Sequence, residues 1–138
     1  MDKKILLTIK GSHIGVDGEQ TSIELITEGR LFKKDGIVYI EYEESEISGK
    51  EGTKTIISIE DNTVSMERSG TSFSHMFFEP GKSYINNLIT PFGAMQMEIY
   101  PTRVKYELNE QGGRLDLKYQ MAIDGRTAGT NELIFHYK

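Results

Sequence analysis

The chain has 138 residues, a formal net charge of −5 and no cysteine. A chain of this length fits one domain and buries roughly two-thirds of its unfolded surface, so we expect a single domain over residues 1–138. Without cysteine there can be no disulfide, thiolate nucleophile or thiolate metal ligand. The acidic balance argues against a nucleic-acid partner, because nucleic-acid-binding proteins usually present a basic stripe.

No stretch of the sequence is apolar enough to suggest a membrane-spanning helix. Such a helix needs about 20 predominantly apolar residues in a row. The apolar run at residues 5–9 ends at Lys10, before the core of a signal peptide would be complete. We therefore expect a soluble cytoplasmic protein with no membrane partner.

Glycine, asparagine, aspartate and proline interrupt the chain about every ten residues, a spacing typical of β-sandwiches and barrels. No window keeps an apolar period of about 3.6 for long enough to predict a helix. If the chain holds any helical turn, residues 84–88 are the place where we expect it. The predicted strands cover residues 4–14, 21–33, 37–44, 53–60, 63–69, 71–79, 83–89, 94–100, 102–108, 114–123 and 130–137.

Two of these strands alternate with particular regularity. Met95, Met97 and Ile99 fall on one face of their strand, with polar residues between them. Apolar or aromatic residues also occupy every second position from 115 to 123. This period of two is the pattern of a half-buried antiparallel strand.

Three positions predict departures from regular strand geometry. Gly29, inside the second predicted strand, indicates a bulge or a sharp bend. The pair Asp35-Gly36 predicts a tight hairpin turn that needs positive φ angles. Pro101 predicts an edge position or a bulge, which is why the strand around it is divided into two arms.

About ten strands with mostly short connections predict an all-β domain. Such a sheet removes its exposed edges best by closing on itself. We therefore expect a closed or nearly closed antiparallel up-and-down barrel of about 8–10 strands. A barrel of this size can enclose a small cavity, whereas a sandwich would fill its middle with side chains.

Several segments also resemble a known family along nearly the whole chain. They are an arginine-glycine strand end at residues 64–70, a Met-Phe-Phe strand at 76–81, a Thr-Pro-x-Gly turn at 90–93 followed by residues 97–99, and residues 115–119. Together they are similar to the YwiB-like family of small uncharacterised bacterial proteins. The resemblance implies a calycin-like barrel, similar in architecture to lipocalins. It implies no established activity, and so no catalytic residues.

The residues themselves offer no catalytic or metal-binding spacing. His13, His75 and His136 lie on three different predicted strands without the spacing of metal ligands. Glu41 and Glu43 share a strand face, but paired carboxylates serve acid–base chemistry only where their environments separate their pKa values, and a solvated face is favoured. We expect no enzyme, no cofactor and no metal. A pocket that unites Glu41, His75 and Arg68 would argue for an enzyme.

Polar residues in phase with apolar ones are the better candidates for a binding site. Arg68 follows Val64 and Met66 at the strand period, and His75 lies between two phenylalanines in the same phase. A cavity with a cation and aromatic walls would suit an acidic or amphipathic ligand. Each of these residues also has an ordinary structural explanation. Arg68 would lie at a strand end, pair with a carboxylate and emerge into water, His75 would be a satisfied core histidine, and the methionines would merely fill the core. The candidate ligand-binding residues are Arg68, Phe73, His75, Phe77, Met97 and Tyr119.

These features lead to two hypotheses about function. The first is a β-barrel that binds a small apolar or amphipathic ligand in its interior. The alternative is a non-catalytic protein-interaction or stress-related module with a packed core, which would present Tyr39, Tyr42 and the acidic run of Glu41, Glu43, Glu44 and Glu46 to a partner. The sequence leaves the oligomeric state open.

Overall fold

The computed structural model describes residues 2–43, 53–70, 74–91 and 93–138. Within these ranges the chain forms ten β-strands. They are β1 (Asp2–Ile14), β2 (Gln20–Lys34), β3 (Ile37–Glu43), β4 (Lys54–Glu60), β5 (Thr63–Ser69), β6 (Ser74–Phe78), β7 (Tyr84–Thr90), β8 (Gly93–Leu108), β9 (Gly113–Ile123) and β10 (Arg126–Tyr137).

All ten strands belong to one antiparallel sheet in the order β6-β5-β4-β3-β2-β1-β10-β9-β8-β7. Apart from β6 and β7, strands that are consecutive in sequence pair with each other, and the first and last strands also pair. The gap in the sheet therefore falls between β6 and β7, in the middle of the chain. The predicted all-β, nearly closed up-and-down barrel is confirmed.

Isolated contacts bridge the gap between β6 and the neighbouring strands. The amide of Gly81 donates a hydrogen bond to the carbonyl of Pro101 at 3.4 Å. The ring of Phe77 packs edge-on against Tyr84, with 5.0 Å between the ring centroids. The barrel is thus completed by a few polar and aromatic contacts at a place where the described strands form no continuous ladder.

One half of the barrel, which we call the closed half, is filled by inward-facing side chains. It ends at the hairpin turns Asp35-Gly36 and Asp61-Asn62. Its core residues alternate with outward-facing ones because successive side chains of a strand point to opposite faces. The buried hydrophobic residues of the protein are Ile5, Leu7, Ile9, Leu25, Leu31, Ile40, Tyr42, Ile57, Ile59, Val64, Met66, Met76, Phe78, Ile99, Leu115, Leu117, Tyr119, Phe135 and Tyr137.

The other half, which we call the open half, arises because the strands differ in length. β2 pairs with β1 along its whole length, whereas its described pairs with β3 cover residues 29–34. Residues 20–28 of β2 therefore extend beyond the described part of β3. The ends of β1, β8, β9 and β10 extend with them, so that the inner face of these strands continues past the packed core.

The turn and proline predictions are confirmed in detail. Asp35 and Gly36 have φ angles of 53° and 82°, as a two-residue hairpin turn of this kind requires. β8 is one continuous strand and not two, but its register against β9 shifts between Pro101 and Arg103. Pro101 thus lies at a bulge, which accommodates a residue that has no amide hydrogen to donate.

Of the two geometries expected at Gly29, the bulge does not occur, because both ladders of β2 keep their register there. Glycine is needed for another reason: a Cβ atom at Gly29 would lie 2.9 Å from the carbonyl oxygen of Glu41 on β3. The strand predicted at residues 83–89 is confirmed as β7, and pairing with β8 from Tyr84 to Thr90 stabilises its extended conformation in place of a helical turn.

Candidate functional site

The candidate site is a depression on the inner face of the open half. Ile23 lies in phase with the buried Leu25 and therefore faces inward, yet 56% of Ile23 is exposed. A pocket of about 360 Å³ lies beside it. Its lining residues are Gly11, Ser12, His13, Thr21, Ser22, Ile23, Tyr119, Asn131 and Leu133.

The pocket is possible because β1 carries a glycine near its C-terminal end. Gly11 is paired with Ile23 on one side and with Leu133 on the other. A Cβ atom at Gly11 would lie 3.3 Å from a methyl group of Leu133 and 3.4 Å from a methyl group of Ile23. The missing side chain leaves room between two apolar walls.

A polar group of side chains lies next to these walls. The Nδ1 atom of His13 is 2.5 Å from the side-chain oxygen of Asn131 across the β1–β10 ladder. The amide nitrogen of Asn131 in turn donates to the sulfur of Met121 at 3.6 Å. Asn131 is thereby held between two neighbours, with its side chain directed into the barrel.

Tyr119 links this polar group to Arg68. Burial raises the pKa of the Tyr119 hydroxyl, while a hydrogen bond with Asn131 and the positive charge of Arg68 act in the opposite direction. The guanidinium of Arg68 is therefore within electrostatic reach of Tyr119. Arg68 shares its strand face with the fully buried Val64 and Met66, and its Nε atom is shielded from solvent.

Three of the six predicted ligand-binding residues do face the interior. Arg68 lies on the inner face of β5, Tyr119 is buried on the inner face of β9, and Met97 lies half-buried on the inner face of β8 opposite Asn86. Phe73 lies outside the described residues. Whether any of these residues binds a ligand stays a prediction.

The inward placement expected for His75 and Phe77 is wrong. Met76 pairs with the buried Met66, so Met76 and Phe78 are the inward residues of β6, with exposures of 6% and 0%. His75 and Phe77 consequently lie on the opposite, outer face, where their rings pack together with 4.4 Å between centroids. The alternation was ambiguous here because this strand has apolar residues on both faces.

Four residues that face the interior were not among the predicted ligand-binding residues. They are His13, Ile23, Asn86 and Asn131. Strand phase was the available signal, since His13 follows Ile9 and Gly11 at the period of two. Asn86 faces the interior from β7, and its Nδ2 atom is buried with no hydrogen-bond partner among the described residues.

The surface expected to bind a protein partner is not assembled as predicted. Tyr42 is a core residue, only 3% exposed. Tyr39 lies on the outer face but stacks on Phe32, with 4.9 Å between ring centroids. Glu41 forms an ion pair with Lys54 at 3.1 Å. Glu44 and Glu46 lie outside the described residues.

The described part of the chain lacks two further features. Its histidine, aspartate and glutamate residues nowhere form a cluster of three or more that could hold a metal ion. Its residues also include no helix of the length and apolarity needed to cross a membrane.

The strand order and the pocket of the open half together define a ten-stranded, nearly closed antiparallel β-barrel with a partly polar interior. The family model described as "Domain of unknown function (DUF1934)" matches residues 7–134, so the chain belongs to this family. The chain is 29% identical over 134 residues to the "Uncharacterized beta-barrel protein YwiB" of Bacillus subtilis (strain 168). The matched region covers 97% of this chain and 92% of that protein. The crystal structure of the ywiB protein from Bacillus subtilis superposes with a TM-score of 0.84 at 27% identity, over 99% of this chain and 92% of that chain. The family resemblance inferred from the sequence is confirmed.

Proposed function

We propose that this protein binds a small apolar or amphipathic molecule in the open half of its barrel and does not transform it chemically. The observation that carries the proposal is the exposure of Ile23 on an inward-facing position. Inward apolar residues of a filled core are covered, as Leu25 and Leu31 are. An apolar wall that remains open beside a pocket is the kind of surface that a small ligand covers.

The shape of the barrel supports the same role. The closed half is filled with buried side chains and provides a rigid scaffold, while the open half carries the pocket. A pocket of about 360 Å³ falls in the range of roughly 300–1,000 Å³ in which small-molecule sites occur. Met97 and Met121 on the surrounding strands are unbranched and adapt to ligands of different shape.

The positions of the ionisable residues favour binding over catalysis. Glu41 and His75 lie on the outer face, whereas Arg68 faces the interior. General acid–base catalysis needs its groups within hydrogen-bond reach of one reacting atom. The three residues that would have argued for an enzyme therefore do not meet.

Native mass spectrometry tests the proposal directly. Protein purified from the organism that encodes it should retain a small molecule, seen as a mass difference that disappears on denaturation. If no molecule is retained, and the neutral fluorescent dye N-phenylnaphthylamine also fails to bind, the proposal is wrong. The packed-core interaction module would then be the better hypothesis.

A matched pair of variants locates the site. Ile23→Asp places a carboxylate on the inner apolar wall and should weaken N-phenylnaphthylamine binding by about tenfold or more, because charge burial is unfavourable. Ile26→Asp makes the same change three residues along β2 on the outer face, where Ile26 is 61% exposed. It should bind the dye as the wild type does. Equal losses in both variants would place the site elsewhere.

A further inference from the structure

We propose that the open half binds a neutral amphiphile, whose alcohol or primary amide group meets a row of polar side chains in the pocket while its apolar body covers the Ile23 wall. This inference rests on the small-molecule binding proposed above and adds the chemical class of the ligand. It also gives the orientation of the ligand, with the polar group towards the open end of the barrel.

Four residues of the pocket form one row across four adjacent strands. His13 of β1 is paired with Thr21 of β2 on one side and with Asn131 of β10 on the other, and Asn131 is paired with Tyr119 of β9. All four line the pocket. Because directly paired residues of antiparallel strands point to the same face of the sheet, their side chains project into the open half together. We call these four residues the polar row.

The next row towards the packed core is apolar. Gly11 is paired with Ile23 and with Leu133, each two residues away from a member of the polar row, and all three line the same pocket. Ile23 remains 56% exposed there. A ligand that covers both rows therefore has one polar end and an apolar body.

The contact between His13 and Asn131 determines which ring atom of the histidine stays available. The side-chain oxygen of Asn131 only accepts hydrogen bonds, so the Nδ1 atom of His13, 2.5 Å away, carries the hydrogen. The Nε2 atom of the neutral ring is then an acceptor, and the described residues provide no partner for it. Gly129 confines the ring from another side, since a Cβ atom at Gly129 would lie 3.0 Å from the Cε1 atom of His13.

Tyr119 and Thr21 supply hydrogen-bond donors at the two ends of the polar row. Burial raises the pKa of Tyr119, and the hydrogen bond with Asn131 acts against burial, as a bond donated to the phenolic oxygen does. The hydroxyl hydrogen of Tyr119 is thus left to donate. The hydroxyl group of Thr21 donates and accepts, and it too has no partner among the described residues. Donors and an acceptor together suit a ligand group that itself accepts and donates.

The lining of the pocket favours a neutral group over a charged one. None of the described lining residues is an aspartate, glutamate, lysine or arginine. Arg68 acts on Tyr119 through its charge, but Arg68 is not part of the lining and is already engaged within the protein. A carboxylate has no hydrogen to donate to the polar row and an ammonium group accepts none, and each would lose water without gaining an ion pair.

Competitors of similar size provide the test. Octanol donates and accepts hydrogen bonds, its isomer heptyl methyl ether only accepts them, and octanoate and octylammonium carry opposite charges. Each is titrated at neutral pH against the wild-type protein loaded with N-phenylnaphthylamine. Octanol should displace the dye at a concentration about threefold to tenfold lower than the ether, which is the effect of a hydrogen bond of ordinary strength. Both ions should require higher concentrations than octanol.

Variants assign this preference to the polar row. Tyr119→Phe and Thr21→Val each remove a hydroxyl group and nearly keep the shape of the side chain, so each should reduce the preference for octanol over the ether. The double variant should bind the two isomers almost equally and bind the ether as the wild type does. The control is Thr8→Val, which makes the same change on the outer face of β1 and should keep the full preference.

The outcomes separate the two proposals. Equal displacement by octanol and the ether, or stronger displacement by either ion, overturns the neutral-amphiphile inference and leaves small-molecule binding intact. A preference that persists in the folded double variant also overturns it, because the polar row is then not its source. Failure of the dye to bind, together with no retained molecule in native mass spectrometry, overturns both proposals. Circular dichroism establishes that each variant is folded, and the wild-type comparison decides the inference even where a variant is not.

Discussion

The Nδ1 atom of His13 lies 2.5 Å from the side-chain oxygen of Asn131, although 118 residues separate them in the sequence. The pairing of β1 with β10 brings them together on the inner face of the barrel. This contact joins the first and last strands at the mouth of the pocket. It also holds the Asn131 amide next to Tyr119.

Replacing Asn131 should therefore destabilise the barrel. Asn131→Ala leaves His13 and Tyr119 without a partner, and we expect the free energy of unfolding to fall by about 1–3 kcal/mol. Urea unfolding monitored by circular dichroism measures this change. Asn87→Ala is the control, since Asn87 is exposed on the outer face of β7, and its effect should stay within about 0.5 kcal/mol. Similar effects of the two variants would contradict the structural role of Asn131.

Gly29 provides a test of close strand packing. A methyl group at this position would lie 2.9 Å from the Glu41 carbonyl oxygen, which belongs to the backbone of β3 and cannot move freely. Gly29→Ala should lower the free energy of unfolding by about 1–3 kcal/mol. Gly11→Ala, whose methyl group would meet only side-chain methyls at 3.3 and 3.4 Å, should cost less. Thermal or urea unfolding measures both losses. A larger loss for Gly11→Ala than for Gly29→Ala would show that the approach of β2 and β3 at Gly29 is not the tighter of the two contacts.

Filling the pocket should block binding without unfolding the protein. Gly11→Leu places an apolar side chain between Ile23 and Leu133, where a ligand would lie. We expect N-phenylnaphthylamine affinity to fall by about tenfold or more, which corresponds to a loss of about 1.4 kcal/mol of binding free energy. Thr8→Leu adds the same side chain to the outer face of β1 and should leave dye binding unchanged. Unimpaired binding by a folded Gly11→Leu protein would move the site away from Gly11.

The stability of the barrel should decrease in alkaline solution. Burial raises the pKa of Tyr119 and of Tyr137, so the folded protein holds these protons where the unfolded chain has released them. The stabilisation is present below the unfolded pKa of about 10 and is lost as the pH rises through the higher folded pKa.

Urea unfolding at about pH 9 and about pH 11 brackets this loss. Tyr119→Phe should reduce the loss, and the variant that also carries Tyr137→Phe should reduce it further. If Tyr119→Phe retains the whole of the wild-type loss, the buried hydroxyl of Tyr119 is not its source.

The sequence predicted most strands and faces where only one face of a strand is apolar. In β9 the alternation of Leu115, Leu117 and Tyr119 with charged residues permits only one orientation of the strand, because a shift by one residue would bury the charges. Pro101 was equally informative, since a residue without an amide hydrogen is confined to edges and bulges. Gly29 marked a real constraint, but the sequence could not tell a bulge from a close approach of another strand.

The face of a strand could not be predicted where both faces carry apolar residues. In β6 the run Met76-Phe77-Phe78 fits either orientation, and its pairing with Met66 of β5 placed Phe77 outside. The contact with β5 thus decided what the local pattern of β6 left open.

The sequence by itself determined an all-β barrel and the inward phase of Arg68, Met97 and Tyr119, because these follow from local alternation and turn chemistry. The family was indicated by the resemblance of its segments. Only the tertiary structure decided where the barrel stays open. Among the described residues, β3 pairs with only one half of β2, and Ile23 on the other half faces inward but is exposed. The tertiary structure also decided that His13, Asn131, Tyr119 and Arg68 share one interior, since long-range pairing is a property of the whole sheet and not of any one segment.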